Sequence, residues 1–71
     1  MSADGTITVN GEPRELADQS VREIVAGEGL DLDRRGLAVA VDGAVVPRRD
    51  WSRTHVPAGA RVEIVKPFAG G

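Results

Sequence analysis

The carboxyl end of the chain carries the residue types best suited to chemistry. A proline follows Lys66, and the sequence closes with Ala69-Gly70-Gly71. Proline lacks the N–H that a sheet needs, and two glycines leave nearly bare backbone before a free carboxylate. Five extended residues reach at most about 17 Å, enough to carry that carboxylate into a partner's active site. We therefore expect the terminal carboxylate of Gly71 to be the functional group.

No other set of side chains in the sequence has the spacing of a catalytic site. The chain contains no cysteine, which excludes a disulfide, a thiolate metal site and acyl transfer through a thiol of its own. His55 has no recognisable catalytic partners, so a surface or hydrogen-bonding role is expected for it. We predict a protein that is not an enzyme and that binds neither a metal nor a cofactor.

Length and composition predict one small globular domain. The chain has 71 residues and is 41% hydrophobic, which is normal for a folded protein. No apolar stretch approaches the roughly 20 residues that span a bilayer, and no charged-then-apolar leader stands at the N-terminus. We therefore expect a soluble, cytoplasmic protein that does not contact membranes and is monomeric when free.

The charge distribution argues mildly against nucleic acid. The net charge is -2, whereas phosphate binding needs a clustered positive surface. Acidic residues are interleaved with the central arginines, so we expect a solvated mixed surface there. Those arginines are Arg34, Arg35, Arg48, Arg49 and Arg53.

The first half of the chain predicts a hairpin followed by a helix. Residues 6–9 alternate with period two, and Asn10-Gly11 favours a type I′ turn, so residues 12–16 should return as an edge strand. Ser20 and Glu23 fit a capping box, and either Gly27 or Gly29 should end the helix. The apolar residues between them share one helical face: Val21, Ile24 and Val25.

The second half predicts three more strands. Residues 37–41 are predicted to form a strand with bulky side chains on one face and small side chains on the other. Asp42-Gly43 is a second tight turn, and Ala44–Val46 forms the returning strand, which ends at Pro47. Residues 50–53 could form a single helical turn. The final strand covers residues 61–66, with Val62 and Ile64 on its apolar face.

This order of elements predicts an α+β fold in which one helix lies across one mixed sheet of about five strands. If the first and last strands are neighbours, they run parallel at the centre, which is the β-grasp or ubiquitin-like roll. We assign residues 1–66 to this domain and residues 67–71 to a flexible C-terminal tail that carries the reactive diglycine.

Three side chains near the last strand have open roles. Val65 lies on the face opposite Ile64, where it could join Ala38 or Ala40 in a shallow apolar docking surface, or pack under the Trp51 loop. Trp51 is expected to be a structural plug, since the chain has only two aromatic residues. Phe68 lies beyond the last strand, where little core is left to join, so we predict that it anchors a partner.

Several stretches together give the chain a family resemblance that a terminal diglycine alone would not. The combined pattern resembles the ThiS family, the sulfur-carrier proteins of thiamine biosynthesis, over nearly the whole chain. The stretches are Asn10-Gly11-Glu12, residues 37–48 with Trp51 close behind, and residues 61–65 followed by the ending Ala69-Gly70-Gly71.

The resemblance implies a carrier function. A partner of the E1-like, ThiF type would use ATP to adenylate Gly71, sulfur from a donor protein would replace AMP to give a thiocarboxylate, and a ThiG-type thiazole synthase would take the sulfur. Gly71 carries over as the reacting residue, with Gly70 and Ala69 as the slender residues that enter the partner. Phe68 departs from the smaller residue more usual in the family, which bears on the choice of partner.

Other functions use the same features. A carrier for molybdopterin or cysteine synthesis would share the chemistry, although molybdopterin carriers tend to be longer. A ubiquitin-like modifier would be attached to lysines through Gly71 after the same activation step. A small RNA-binding β-grasp module would not need the diglycine at all.

Overall fold

The computed structural model describes residues 5–66 of the chain. The order of its elements confirms the predicted order, strand, strand, helix, strand, strand, irregular segment, strand. The elements are β1 (Ile7–Val9), β2 (Glu12–Arg14), α1 (Val21–Gly27), β3 (Ala38–Val41), β4 (Ala44–Val46), a 3-10 turn η1 (Arg48–Asp50) and β5 (Arg61–Val65).

The five strands form one mixed sheet in the order β2-β1-β5-β3-β4. β1 and β5 are parallel at the centre, with Val9 opposite Val62, and every other pair is antiparallel. This is the β-grasp arrangement that the element order predicted. The last strand of the chain is therefore the middle strand of the sheet.

The helix covers one face of this sheet, which we call the inner face. Helix residues Val21, Ile24 and Val25 are buried in the same cluster as the apolar residues of β1, β3 and β5. Each such side chain contributes about 1.5–3 kcal/mol when it is fully buried. The buried sheet residues of the cluster are Ile7, Val9, Val39, Val62 and Ile64.

Helix α1 has the capping box that its sequence predicted. The Ser20 hydroxyl accepts a hydrogen bond from the Glu23 amide at 3.1 Å, and the Glu23 carboxylate accepts one from the Ser20 amide at 2.8 Å. The helix ends through Gly29, whose φ is 81° and whose amide donates to the Ala26 carbonyl at 3.0 Å. Of the two candidate glycines, Gly27 is instead the last helical residue.

The turn predicted at residues 50–53 is present, because the Arg53 amide donates to the Asp50 carbonyl at 3.2 Å. It continues from the 3-10 turn at Arg48–Asp50, which begins directly after Pro47 with its φ of -60°. One local prediction was wrong in its bounds. Strand β2 ends at Arg14 rather than at residue 16, because the half-buried Leu16 turns to pack against the core.

Candidate functional site

The root of the tail is the carboxyl end of β5. Because β5 is the central strand, its backbone is paired with β1 through Val62 on one side and with β3 through Val65 on the other. Lys66 is the last described residue. The predicted site residues beyond it lie outside the described residues: Phe68, Ala69, Gly70 and Gly71.

Asn10 holds the end of β5 through its side chain. Strand β1 stops at Val9, but the Asn10 amide oxygen accepts a hydrogen bond from the Ile64 amide at 2.8 Å, and its amide nitrogen donates to the Ile64 carbonyl at 3.3 Å. The side chain thus makes the pair of bonds that another residue of a strand would make. It continues the pairing of β5 by one step toward the tail.

Asp42 holds the opposite end of the same strand. Its carboxylate accepts a hydrogen bond from the Arg61 amide at 2.8 Å, and its own amide donates to the Arg61 carbonyl at 2.8 Å. Both Asn10 and Asp42 have positive φ, at 52° and 50°. Asn and Asp tolerate this conformation, and Gly11 and Gly43 follow them in the turns.

The sheet face away from the helix, which we call the outer face, is uncovered within residues 5–66. The register places Val65 opposite Ala38, and Val45 opposite Ala40, so these four residues form an apolar patch beside the root of the tail. Val65 is 62% exposed and Val45 is 73% exposed. Of the two placements proposed for Val65, the structure gives the one beside Ala38 rather than the one under the Trp51 loop.

Trp51 is the structural plug that was expected, and it fixes the loop after β4. It is 4% exposed, and its indole nitrogen donates to the Val46 carbonyl at 2.9 Å. The Arg48 guanidinium lies 4.6 Å from the centre of its ring, a cation–π distance. The same guanidinium donates to the carbonyls of Leu32 and Arg34, so it joins this loop to the one before β3.

Two titratable groups outside the tail root have shifted pKa values. Hydrogen bonds from the Ser20 amide and hydroxyl lower the pKa of Glu23. Hydrogen bonds to Glu28 and Glu12 raise the pKa of Arg14, which joins β2 to the end of α1. Both shifts have a structural cause, and neither group lies near the end of β5.

The described residues contain no group of side chains suited to metal ligation. His55 is exposed, and its backbone forms an isolated antiparallel bridge with Ser20. No helix within residues 5–66 has the length and apolar character needed to cross a bilayer.

Sequence reasoning missed two of the residues that shape this region. The role of the Asn10 side chain was missed because Asn-Gly already has a sufficient explanation in the turn. Val45 was assigned only to a return strand, although its register with Ala40 follows once the Asp42-Gly43 turn is accepted. Both findings need the position of β5, which is distant in sequence.

The arrangement defines a class of protein. Within residues 5–66, a mixed sheet crossed by one helix, with the first and last strands parallel at its centre, is a ubiquitin-like β-grasp domain. A model of the ThiS family matches residues 7–71. The chain belongs to the ThiS family.

Individual relatives agree with that assignment. The chain is 34% identical over 55 residues to the sulfur carrier protein ThiS of Escherichia coli strain K12, covering 78% of this chain and 80% of the relative. The crystal structure of the thiamine biosynthesis protein ThiS from Geobacter metallireducens matches with a TM-score of 0.73 at 26% identity, covering 93% of this chain and 99% of that chain. A solution NMR structure of a thiamine biosynthesis protein from Geobacter metallireducens matches with a TM-score of 0.74 at 26% identity, covering 93% and 87%.

Proposed function

We propose that this chain is a sulfur carrier protein of thiamine biosynthesis, with Gly71 as the attachment point. The observation that carries the proposal is that the family match runs through the last residue, Gly71. The similarity to the Escherichia coli sulfur carrier protein ThiS supports it.

The chemistry requires activation of the terminal carboxylate. Its pKa of about 3.5 keeps it ionised at neutral pH, where it does not react with sulfide. In the proposed reaction a Gly71 carboxylate oxygen attacks the α-phosphorus of ATP, and pyrophosphate leaves. A sulfur nucleophile then attacks the acyl carbon, and AMP leaves with the original oxygen, so that a thiocarboxylate remains on Gly71.

The residue types before Gly71 suit entry into such a site. A crowded, charge-stabilised pocket that brings the α-phosphate in line with the carboxylate leaves little room for side chains. Glycine at position 70 and alanine at position 69 allow close contact with the partner from both sides. The described body supports this role by pinning β5 up to Val65, so the tail starts from a fixed point.

The remaining machinery is assigned to partners. An E1-like adenylyltransferase of the ThiF type would consume the ATP, a donor protein would supply the sulfur, and a ThiG-type thiazole synthase would receive it. The chain itself would be a co-substrate rather than an enzyme, monomeric when free, and cytoplasmic. Val65 and Phe68 would contribute to docking, Val65 through the exposed apolar patch that it forms with Ala38.

Mass spectrometry tests the proposal directly. The purified chain is incubated with the ThiF-type enzyme of the same organism, ATP and sulfide, and we expect the mass gain of one oxygen-for-sulfur exchange at the C-terminus. The control lacks Gly70 and Gly71, which leaves all described strands in place, and should show no gain. If the mass of the chain stayed unchanged although the enzyme catalysed ATP–pyrophosphate exchange, the proposal would be contradicted. Branched peptides with Gly71 joined to lysines in cells would indicate a protein modifier instead.

A further inference from the structure

Three arginines surround a groove beside the root of the tail. The groove has a volume of about 500 Å³. We call it the arginine groove and define it by its lining residues: Asp33, Arg34, Arg35, Gly36, Leu37 and Arg48.

The sheet register places this groove next to the end of β5. Leu37 directly precedes Ala38, and Ala38 is paired with Val65. The lining of the arginine groove therefore ends one residue before Ala38, at the same end of the sheet at which Lys66 leaves β5. We expect a protein that receives the tail to approach this end.

Arg48 holds the loop that carries Arg34 and Arg35 in place. Arg48 donates to the Leu32 and Arg34 carbonyls, the latter at 2.7 Å, while its guanidinium lies over the buried Trp51 ring. The Arg34 amide also donates to the Asp31 carbonyl at 3.0 Å. A loop fixed in this way presents its cationic side chains at a defined position, which lowers the entropy lost on binding.

The groove charges are not neutralised by the rest of the described body. Within residues 5–66 the ion pairs join Arg14 to Glu12 and Glu28, and Arg53 to Asp50; Asp33 lines the groove without pairing. Both Arg34 and Arg35 are exposed. The chain as a whole has a net charge of -2, so the positive groove opposes the sign of the remaining surface.

We infer that the arginine groove is the charged rim of the docking surface and that it binds an acidic surface of the activating enzyme, beside the pocket that receives the tail. This inference rests on the proposed function for the identity of the partner. An apolar centre with a charged rim is the usual composition of a protein interface. Charges at the rim mainly orient the encounter and raise the association rate, and their effect is screened by salt.

The test is the affinity of the ThiF-type enzyme for carrier variants, measured without ATP at low and high ionic strength. For Arg34→Glu/Arg35→Glu we expect at least about tenfold weaker binding at 0.05 M salt and less than about threefold at 0.5 M. The matched control is Arg22→Glu/Arg61→Glu, which changes the net charge equally. Arg22 lies at the start of α1, and Arg61 at the opposite end of β5 from Val65, so we expect less than about twofold change.

The outcomes of this experiment either support the inference or overturn it. Equal losses in the two variants would show a net-charge effect and overturn the inference, as would wild-type affinity in Arg34→Glu/Arg35→Glu or no binding by the wild-type chain. Variants that bind the enzyme normally but lose binding to a single-stranded RNA oligonucleotide would assign the groove to nucleic acid and overturn it as well. Thiocarboxylate formation by the wild-type chain is scored separately, so a failure of the carrier function is distinguishable from a failure of the groove.

Discussion

The two hairpin turns of this domain have the same backbone form but hold opposite ends of β5 by different means. Asn10 and Gly11 have φ values of 52° and 85°, and Asp42 and Gly43 have φ values of 50° and 87°. Asp42 contributes a carboxylate acceptor and its own backbone donor to Arg61. Asn10 contributes both an acceptor and a donor to Ile64 from its side chain.

The difference follows from what remains available at each end. At Arg61 the backbone amide of Asp42 still supplies a donor, so a side chain that only accepts is sufficient. At Ile64 the neighbouring strand β1 has already ended, and the Ile64 amide and carbonyl both face the gap beyond it. The Asn10 amide donates from its nitrogen and accepts at its oxygen, so one side chain serves both groups and the tail end of β5 depends on one residue.

Replacing Asn10 with glycine should have the largest effect. Asn10→Gly keeps the positive φ that the turn requires but removes both bonds to Ile64, which we expect to lower the free energy of unfolding by about 2 kcal/mol. Urea unfolding measures this loss, and hydrogen exchange should show lost protection of the Ile64 amide. A loss under about 0.5 kcal/mol with that amide still protected would contradict the proposed clamp.

Replacing Asp42 with glycine is the matched comparison and should have a smaller effect. Asp42→Gly removes one bond at an exposed position and keeps the bond from its own amide to the Arg61 carbonyl, so we expect a loss of about 0.5–1 kcal/mol. The same urea series measures it. If Asp42→Gly cost as much as Asn10→Gly, the two turns would be equivalent and the distinction between them would be wrong.

The local part of this architecture could be read from the sequence. Asn10-Gly11 and Asp42-Gly43 predicted both turns, and Ser20 with Glu23 predicted the start of the helix, because each signal depends on neighbouring residues only. The order of elements predicted that the first and last strands would be parallel if they were neighbours, and the structure shows that they are neighbours. The family followed from the same motifs.

The parts that could not be predicted depend on contacts between distant segments. Nothing near Asn10 in sequence indicates that its side chain reaches Ile64, 54 positions away. The groove formed by Arg34 and Arg48 was described only as a mixed surface, because its shape depends on how the loops on both sides of the β3–β4 hairpin meet. Register and loop packing are tertiary properties, and local patterns specify them only in part.

Lowering the pH should distinguish the contact made by the Asn10 amide from the one made by the Glu23 carboxylate. We expect this change in stability to be the smallest of the three. The pKa of Glu23 is lowered from its ordinary value of 4.5 by bonds from the Ser20 amide and hydroxyl. Its contribution to stability is therefore complete above that ordinary value and is lost as the pH falls through the lower, folded-state pKa. Thermal unfolding across this range should show a smaller acid-induced decrease for Glu23→Gln than for the wild-type chain or the exposed Glu15→Gln control. The loss of unfolding free energy caused by Asn10→Gly should stay constant over the same pH range, because an amide does not titrate. If that loss disappeared in acid, a charged group rather than the Asn10 amide would hold Ile64.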